Sequence, residues 1–311
     1  MKKYEISFPS TNSATYPKMI TVLIIAPDKI NSETGAMLFT HGWGGSRFQH
    51  QDKMEYTVEL FNLACISVEY RQSGYDFDPV KGLGAYLPYD ASFYQVADVL
   101  NGLREVLTLH PAIDRSRLFH YGGSQGGHIA LLSSIFAPDT FAFVYSSCAL
   151  VKLTEDIQSW AGRTFADFEL SVRNVTEHAA MIQCPLFMEH GTADVAVPHC
   201  HAEELEKRLR ELGKTLKIKY YEGGDHGLEP TISKLEAFKA MAPEPMQQLK
   251  NSRPDNFMSG NKIKIDCGSK ILVIDWSLES QSPELLKWES KKLIGISCCA
   301  IDADNLPSNN S

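Results

Sequence analysis

The chain has 311 residues, 43% of them hydrophobic, enough to bury one large core or two modest ones. Its formal net charge of −8, without any run of lysine and arginine, argues against nucleic acid or an anionic membrane as the main partner, because both need a basic patch. The longest apolar runs are too short to span a bilayer, and "MKKYEISFPS" has no apolar signal core behind its lysines. Seven scattered cysteines without paired or metal-ligand spacing then fit a reducing cytoplasm.

In chain order, two short strands are expected over residues 4–8 and 20–26, joined by a polar turn. Continuous apolar runs over 36–40, 64–69, 118–121, 141–146, 185–189 and 216–221 have the look of strands buried on both faces. Helical periodicity lies between them, over 51–63, 92–109, 125–136, 200–212 and 231–241. Regular alternation predicts the α/β class, a mostly parallel sheet with helices on both faces. In such sheets ligands sit beyond the carboxyl ends of the strands.

The alternation ends near residue 241, where "MAPEPMQQLKNSRPDNFMSGNK" places three prolines among turn residues. This divides the chain into a main body over 1–245, a linker over 246–261, a β-rich appendage over 262–304 and a frayed tail over 305–311. Within the appendage, "KIKIDCGSKILVIDWSL" reads as two strands around a Cys-Gly-Ser turn, and "KLIGISCCAID" as a third. Cys298 and Cys299 there are ordinary buried or edge-strand residues. The appendage is expected to extend or cover a sheet edge, with homo-oligomerisation or partner docking as the other role.

The stretch "LFHYGGSQGGHIALL" carries the chemistry. Gly122-Gly123-Ser124-Gln125-Gly126 stands where a buried strand becomes a helix. A serine in so sharp a turn is held at strained backbone angles with its hydroxyl exposed. Side chains two residues before or after it would strike neighbouring backbone, hence Gly122 and Gly126. The helix that follows points its amide dipoles at whatever binds there. Serine needs a base, and the base an orienting acid. "PLFMEHGTADVAVP" sets Asp194 just past a strand, and "LKIKYYEGGDHGL" sets His226 in a glycine-rich loop after the next one. The order serine, acid, histidine is that of hydrolases with a nucleophile elbow. A backbone amide in "AMLFTHGWGGS", that of Trp43, is expected to join the Gln125 amide as an oxyanion hole, with His41 bracing the turn.

Together "HGWGGS", "GGSQGG", "HGTADVAVP" and "GGDHGL" resemble the α/β-hydrolase superfamily, over about residues 20–241. More narrowly the chain is similar to the branch that holds dienelactone hydrolases, acetyl-xylan-type esterases and prolyl-oligopeptidase-like peptidases. The resemblance implies the α/β-hydrolase fold, a triad of Ser124, Asp194 and His226, and an oxyanion hole at Trp43 and Gln125. It departs from dienelactone hydrolases in carrying serine where they use cysteine. The peptidases carry a large N-terminal propeller, where about 35 residues precede the first core strand here, and no glutamate pair of the kind that grips a free peptide N-terminus is recognisable.

Hydrolysis of a small or medium carboxylic ester through an acyl-enzyme is the expected reaction. A peptidase or amidase with the same triad is the alternative, and a catalytically silent binding protein the second. No metal or organic cofactor is expected. Asp225 is a rival acid beside His226, and "HCH" at His199–His201 reads as solvated helix-start residues. Arg71 is a candidate substrate contact against the reading of a loop-bracing ion pair. Tyr75, in the aromatic stretch "YDFDPVKGLGAYLPYDASFY", is a second candidate. Trp160, with Phe165, sits in an insertion of about 30 residues that could form a short lid.

Overall fold

In strand β2 (Met19–Ala26), Val22, Ile24 and Ala26 enter one hydrophobic core while Leu23 and Ile25 enter another. A strand packed on both faces cannot alternate apolar with polar, so its sequence is an unbroken apolar run. The computed structural model describes residues 1–74 and 88–291, and the same burial recurs through it. Every residue of β3 (Gly35–Thr40), β4 (Leu63–Glu69), β5 (Leu118–Gly123) and β6 (Phe143–Ser147) is buried. With β1 (Lys2–Pro9), β7 (Leu186–Gly191) and β8 (Leu216–Tyr221) they form one sheet of order β1-β2-β4-β3-β5-β6-β7-β8. Only β1–β2 and β2–β4 pair antiparallel; from β4 to β8 the neighbours are parallel. On the edge strand β8, Lys217 and Lys219 face solvent, a charged edge that discourages pairing with a second sheet.

Helices cover both faces. α1 (Gln51–Phe61), α7 (Lys234–Met241) and α8 (Pro243–Gln248) close one core. α2 (Phe93–Leu109), α3 (Gln125–Phe136) and α6 (Cys200–Glu211) close the other. The insertion after β6 carries two short helices, α4 (Glu155–Trp160) and α5 (Asp167–Val172). This is the α/β-hydrolase architecture expected from the sequence.

Beyond the main sheet, β9 (Lys262–Cys267), β10 (Lys270–Asp275) and β11 (Leu286–Ser290) make a separate antiparallel sheet, β11-β10-β9. Gly268 turns β9 into β10 at φ 76°. The third strand is Leu286–Ser290, while "KLIGISCCAID", Cys298, Cys299 and the tail lie outside the described residues. The small sheet pairs with neither edge of the large one, which corrects the expectation that it extends the sheet. Instead Ile265, Leu272, Ile274 and Trp276 join the core under α2 and α3, and β9 packs against α5. The Trp276 indole N–H donates to the Phe136 carbonyl at 2.9 Å.

Candidate active site

Ser124 follows β5 and caps α3 at φ 57°, ψ −125°, a conformation that a side chain tolerates only under constraint. Its amide donates to the Ser147 carbonyl on β6 at 2.8 Å, and its carbonyl accepts from Gly127 and His128. The flanking glycines are sterically required. A Cβ on Gly122 would overlap the Gly126 carbonyl, and one on Gly126 would overlap the carbonyls of Thr40 and His41 at the end of β3. A Cβ on Gly123 would stand an ordinary 3.6 Å from His50. The close approach of α3 to β3 brings the loop after Thr40 beside the serine: a Cβ built on Gly42 would lie 3.3 Å from that of Ser124.

The acid and the histidine are held by two successive strand ends. Gly191 closes β7, and a Cβ there would overlap the carbonyls of Gly224 and Asp225. That contact lets the two loops lie against each other, with Ala193 donating to the Gly224 carbonyl at 2.9 Å and Gly223 to the Thr192 hydroxyl at 2.8 Å. Asp194 Oδ1 accepts from the amides of Ala196 and Val197, both at 2.9 Å, and Oδ2 accepts from His226 Nδ1 at 2.7 Å. A carboxylate partner fixes the proton on Nδ1, which leaves Nε2 of His226 free to accept one. Asp225 is not the partner: its Oδ1 accepts from Gly227 and Glu229 within its own loop.

His190 is a neighbour the sequence reading missed. Its Nε2 donates to the Val197 carbonyl at 2.8 Å and stands 3.3 Å from Asp194 Oδ2. Burial alone would raise the Asp194 carboxyl, but hydrogen bonds from His190, His226 and the Val197 amide hold it well below the usual carboxylate range. The one signal in the sequence is the spacing His190-Gly-Thr-Ala-Asp194, a tight turn that brings a strand-end histidine back to the acid.

The expected oxyanion residues are tied into a buried aromatic and amide network. The Trp43 ring stacks on Tyr89, with centroids 4.0 Å apart, and the Tyr89 hydroxyl donates to Gln125 Oε1 at 2.8 Å. The Gln125 amide group donates in turn to Gln95 Oε1 at 2.8 Å. His41 stacks on Tyr70, whose hydroxyl donates to the His41 carbonyl at 2.9 Å, and burial lowers its imidazole to about 4. Trp160, 48% exposed, meets Trp43 edge-on at 6.2 Å. Phe165 is buried in the cluster that also holds Tyr89 and Leu150.

One substrate-contact expectation falls away from the site, the reading of "HCH" as solvated holds for His199 and not for the buried His201, and one candidate lies outside the described residues. Arg71 is buried and paired with Asp98 of α2, Nε to Oδ2 at 2.7 Å and Nη2 to Oδ1 at 2.9 Å, and Nη2 also donates to the Thr11 carbonyl. The guanidinium is consumed by that brace, so the substrate-contact reading is corrected. His199 and His201 diverge, His199 on the surface 3.6 Å from Glu203 and His201 buried with Nδ1 accepting from the Val151 amide. Tyr75 and the rest of its aromatic stretch up to residue 87 lie outside the described residues.

Residues 89–242 match the prolyl oligopeptidase family, peptidase S9. Among curated proteins the chain is similar to an uncharacterized peptidase, YuxL, of Bacillus subtilis, 24% identical over 236 residues that cover 68% of this chain and 34% of that protein. Among solved structures it is similar to an acylaminoacyl peptidase bound to Z-Gly-Gly-Phe-chloromethyl ketone, with TM-score 0.63, 19% identity and coverage of 81% of this chain and 42% of that one. A putative dipeptidyl aminopeptidase IV of Bacteroides ovatus gives TM-score 0.63 at 13% identity, over 80% and 36% of the two chains. The acylaminoacyl peptidase of Pyrococcus horikoshii gives 0.62 at 18%, over 81% and 42%. The chain thus spans about a third of the length of its curated relative and about two fifths of these structures.

Proposed function

We propose that this chain, an α/β-hydrolase of the prolyl-oligopeptidase-like branch, is a serine peptidase or amidase that cleaves short peptide substrates. The observation that carries the reading is the family match over residues 89–242, which contains Ser124, Asp194 and His226 in one stretch. Ser124 Oγ attacks the scissile carbonyl while Nε2 of His226 takes its proton. Asp194, below its usual range and bonded to Nδ1, stabilises the imidazolium. The carbonyl oxygen becomes an oxyanion against the Trp43 and Gln125 amides, each such donor being worth about 10²–10³ in rate. His226 then protonates the leaving amine, and water releases the acyl group by the reverse route. Trp43 follows Gly42, which lies against Ser124, and the rings of Tyr89 and Trp160 pack on it, an apolar, aromatic group suited to an apolar residue or N-acyl group.

A small carboxylic ester, the first expectation from the sequence, becomes the secondary substrate, since one acyl-enzyme chemistry serves both bonds and the family match favours the amide. The test is kcat/KM on N-acyl-aminoacyl and dipeptidyl nitroanilides beside nitrophenyl acetate and butyrate. Turnover of the anilides, lost in Ser124→Ala while the fold persists, is the expected result. Ester turnover with no anilide hydrolysis would return the chain to the esterases. Failure of a fluorophosphonate probe to label Ser124 would make it a silent binding protein.

A further inference from the structure

Cys148 follows β6 at φ 48°, buried behind the acid loop. Its Sγ, an imidazole nitrogen of His190 and a carboxylate oxygen of Asp194 all lie within 4.8 Å of one another. These are three different donor types from two strand ends, and the triad uses only one of them. His190 Nε2 and Asp194 Oδ2 are 3.3 Å apart. Nitrogen and oxygen ligands at about 2.0–2.2 Å from a tetrahedral ion stand roughly 3.4 Å from each other, so this pair already has the spacing a shared ion would impose. The sulfur lies within 4.8 Å of both and has to settle at a metal–thiolate distance of about 2.3 Å on binding. The Nδ1 of His226, 2.7 Å from the same Oδ2, carries the proton it donates there and is no ligand, which leaves the fourth position of the ion to solvent.

We propose that Cys148, His190 and Asp194 form an inhibitory site for a borderline-soft divalent cation of the Zn²⁺ kind, which takes the Asp194 carboxylate away from His226 and switches the hydrolase off. Thiolate and imidazole together select such an ion over Mg²⁺ or Ca²⁺, which take oxygen ligands. On binding, the Cys148 thiol releases its proton to solvent and its sulfur lone pair forms the metal bond. The His190 proton passes from Nε2 to Nδ1, and Nε2 and Asp194 Oδ2 each donate a lone pair; nothing is oxidised or reduced. One thiolate and one carboxylate cancel the dication, so the buried site carries no net charge. Because a proton is released, binding tightens as pH rises.

Metal binding is independent of the proposed hydrolase activity; only its inhibitory consequence rests on that reading. The experiment titrates the chelator-stripped full chain with Co²⁺ and follows the thiolate-to-cobalt charge-transfer band in the near ultraviolet. One ion per chain is expected, with the band lost in Cys148→Ser and kept in Cys200→Ser; Cys148→Ala repeats the test without a hydroxyl. In parallel, Zn²⁺ should abolish nitroanilide hydrolysis reversibly with EDTA, Mg²⁺ and Ca²⁺ should not, and Cys148→Ser should weaken inhibition at least about tenfold with the metal-free rate unchanged. A band that survives Cys148→Ser, the absence of any band, or zinc inhibition undiminished in that variant would each overturn the site. A cysteine-dependent band without loss of rate would overturn the inhibitory role. If Ser124 proves unreactive to fluorophosphonate, the hydrolase reading fails, and the cobalt band still decides the metal site.

Discussion

At Ser124 the strain of the elbow has a measurable size. A non-glycine residue at φ 57°, ψ −125° costs about 1–3 kcal/mol. Replacing it with glycine removes that strain but adds roughly 0.5–1 kcal/mol of unfolded-state entropy. Strain is the larger effect, so Ser124→Gly should be more stable than the wild type by about 1 kcal/mol in urea unfolding while hydrolysing nothing. A less stable variant would mean that the turn stores no strain. Asp194 gives a second test, in pH. Its folded carboxyl is depressed below 3.8, because bonds from His190, His226 and Val197 outweigh burial. A group depressed in the folded state stabilises above its unfolded value, and the contribution is lost as pH falls through the folded one. Between about pH 5 and pH 2.5 the wild type should therefore lose stability more steeply than Asp194→Asn. Equal slopes would mean the carboxyl is not depressed. Arg71 shows what a sequence hides at this scale: its partner Asp98 lies 27 positions away on the buried face of α2, and no local pattern pairs them.

At the scale of elements, legibility followed burial. β3, β4, β5 and β6 are buried on both faces, so their apolar runs stood out against the helical periodicity between them. α4 and α5 are six residues each, too short for a 3.6-residue period to declare itself, and their stretch read only as an insertion. β11 was illegible for another reason: of "LKWES" only Leu286 is buried, and the strand exists through its pairing with β10. That pairing gives the insertion an anchor. Trp288 of β11 stacks on Phe93 of α2, with centroids 5.7 Å apart, and meets Phe168 of α5 edge-on at 4.7 Å. The Lys270 ammonium lies 4.0 Å from the Phe168 ring centroid. Trp288 is only half buried, so Trp288→Ala should cost about 2 kcal/mol rather than the 3–5 of a fully buried ring. With α5 loosened, KM for a bulky peptide anilide should rise while fluorophosphonate labelling of Ser124 keeps its rate. An unchanged KM would separate α5 from substrate binding.

Across the whole molecule, the two sheets share a core, and this decides how the chain unfolds. Phe257, Ile265, Leu272, Ile274 and Trp276 belong to the same buried cluster as Val96 and Leu100 of α2 and Ile135 of α3. The Arg104 guanidinium of α2 donates to the Leu278 carbonyl at 2.8 Å, and Trp276 donates to Phe136 at the end of α3. Units joined by buried apolar surface and buried hydrogen bonds open together, whereas a docked module with a wet interface opens first. The four tryptophans divide evenly, Trp43 and Trp160 near the candidate site and Trp276 and Trp288 just after β10 and in β11 of the small sheet. In a Trp43→Phe, Trp160→Phe variant, fluorescence reports only the small sheet, while far-UV circular dichroism reports the whole chain. The two probes should trace one coincident urea transition, and a fluorescence midpoint at lower urea would show that the small sheet opens as a separate unit.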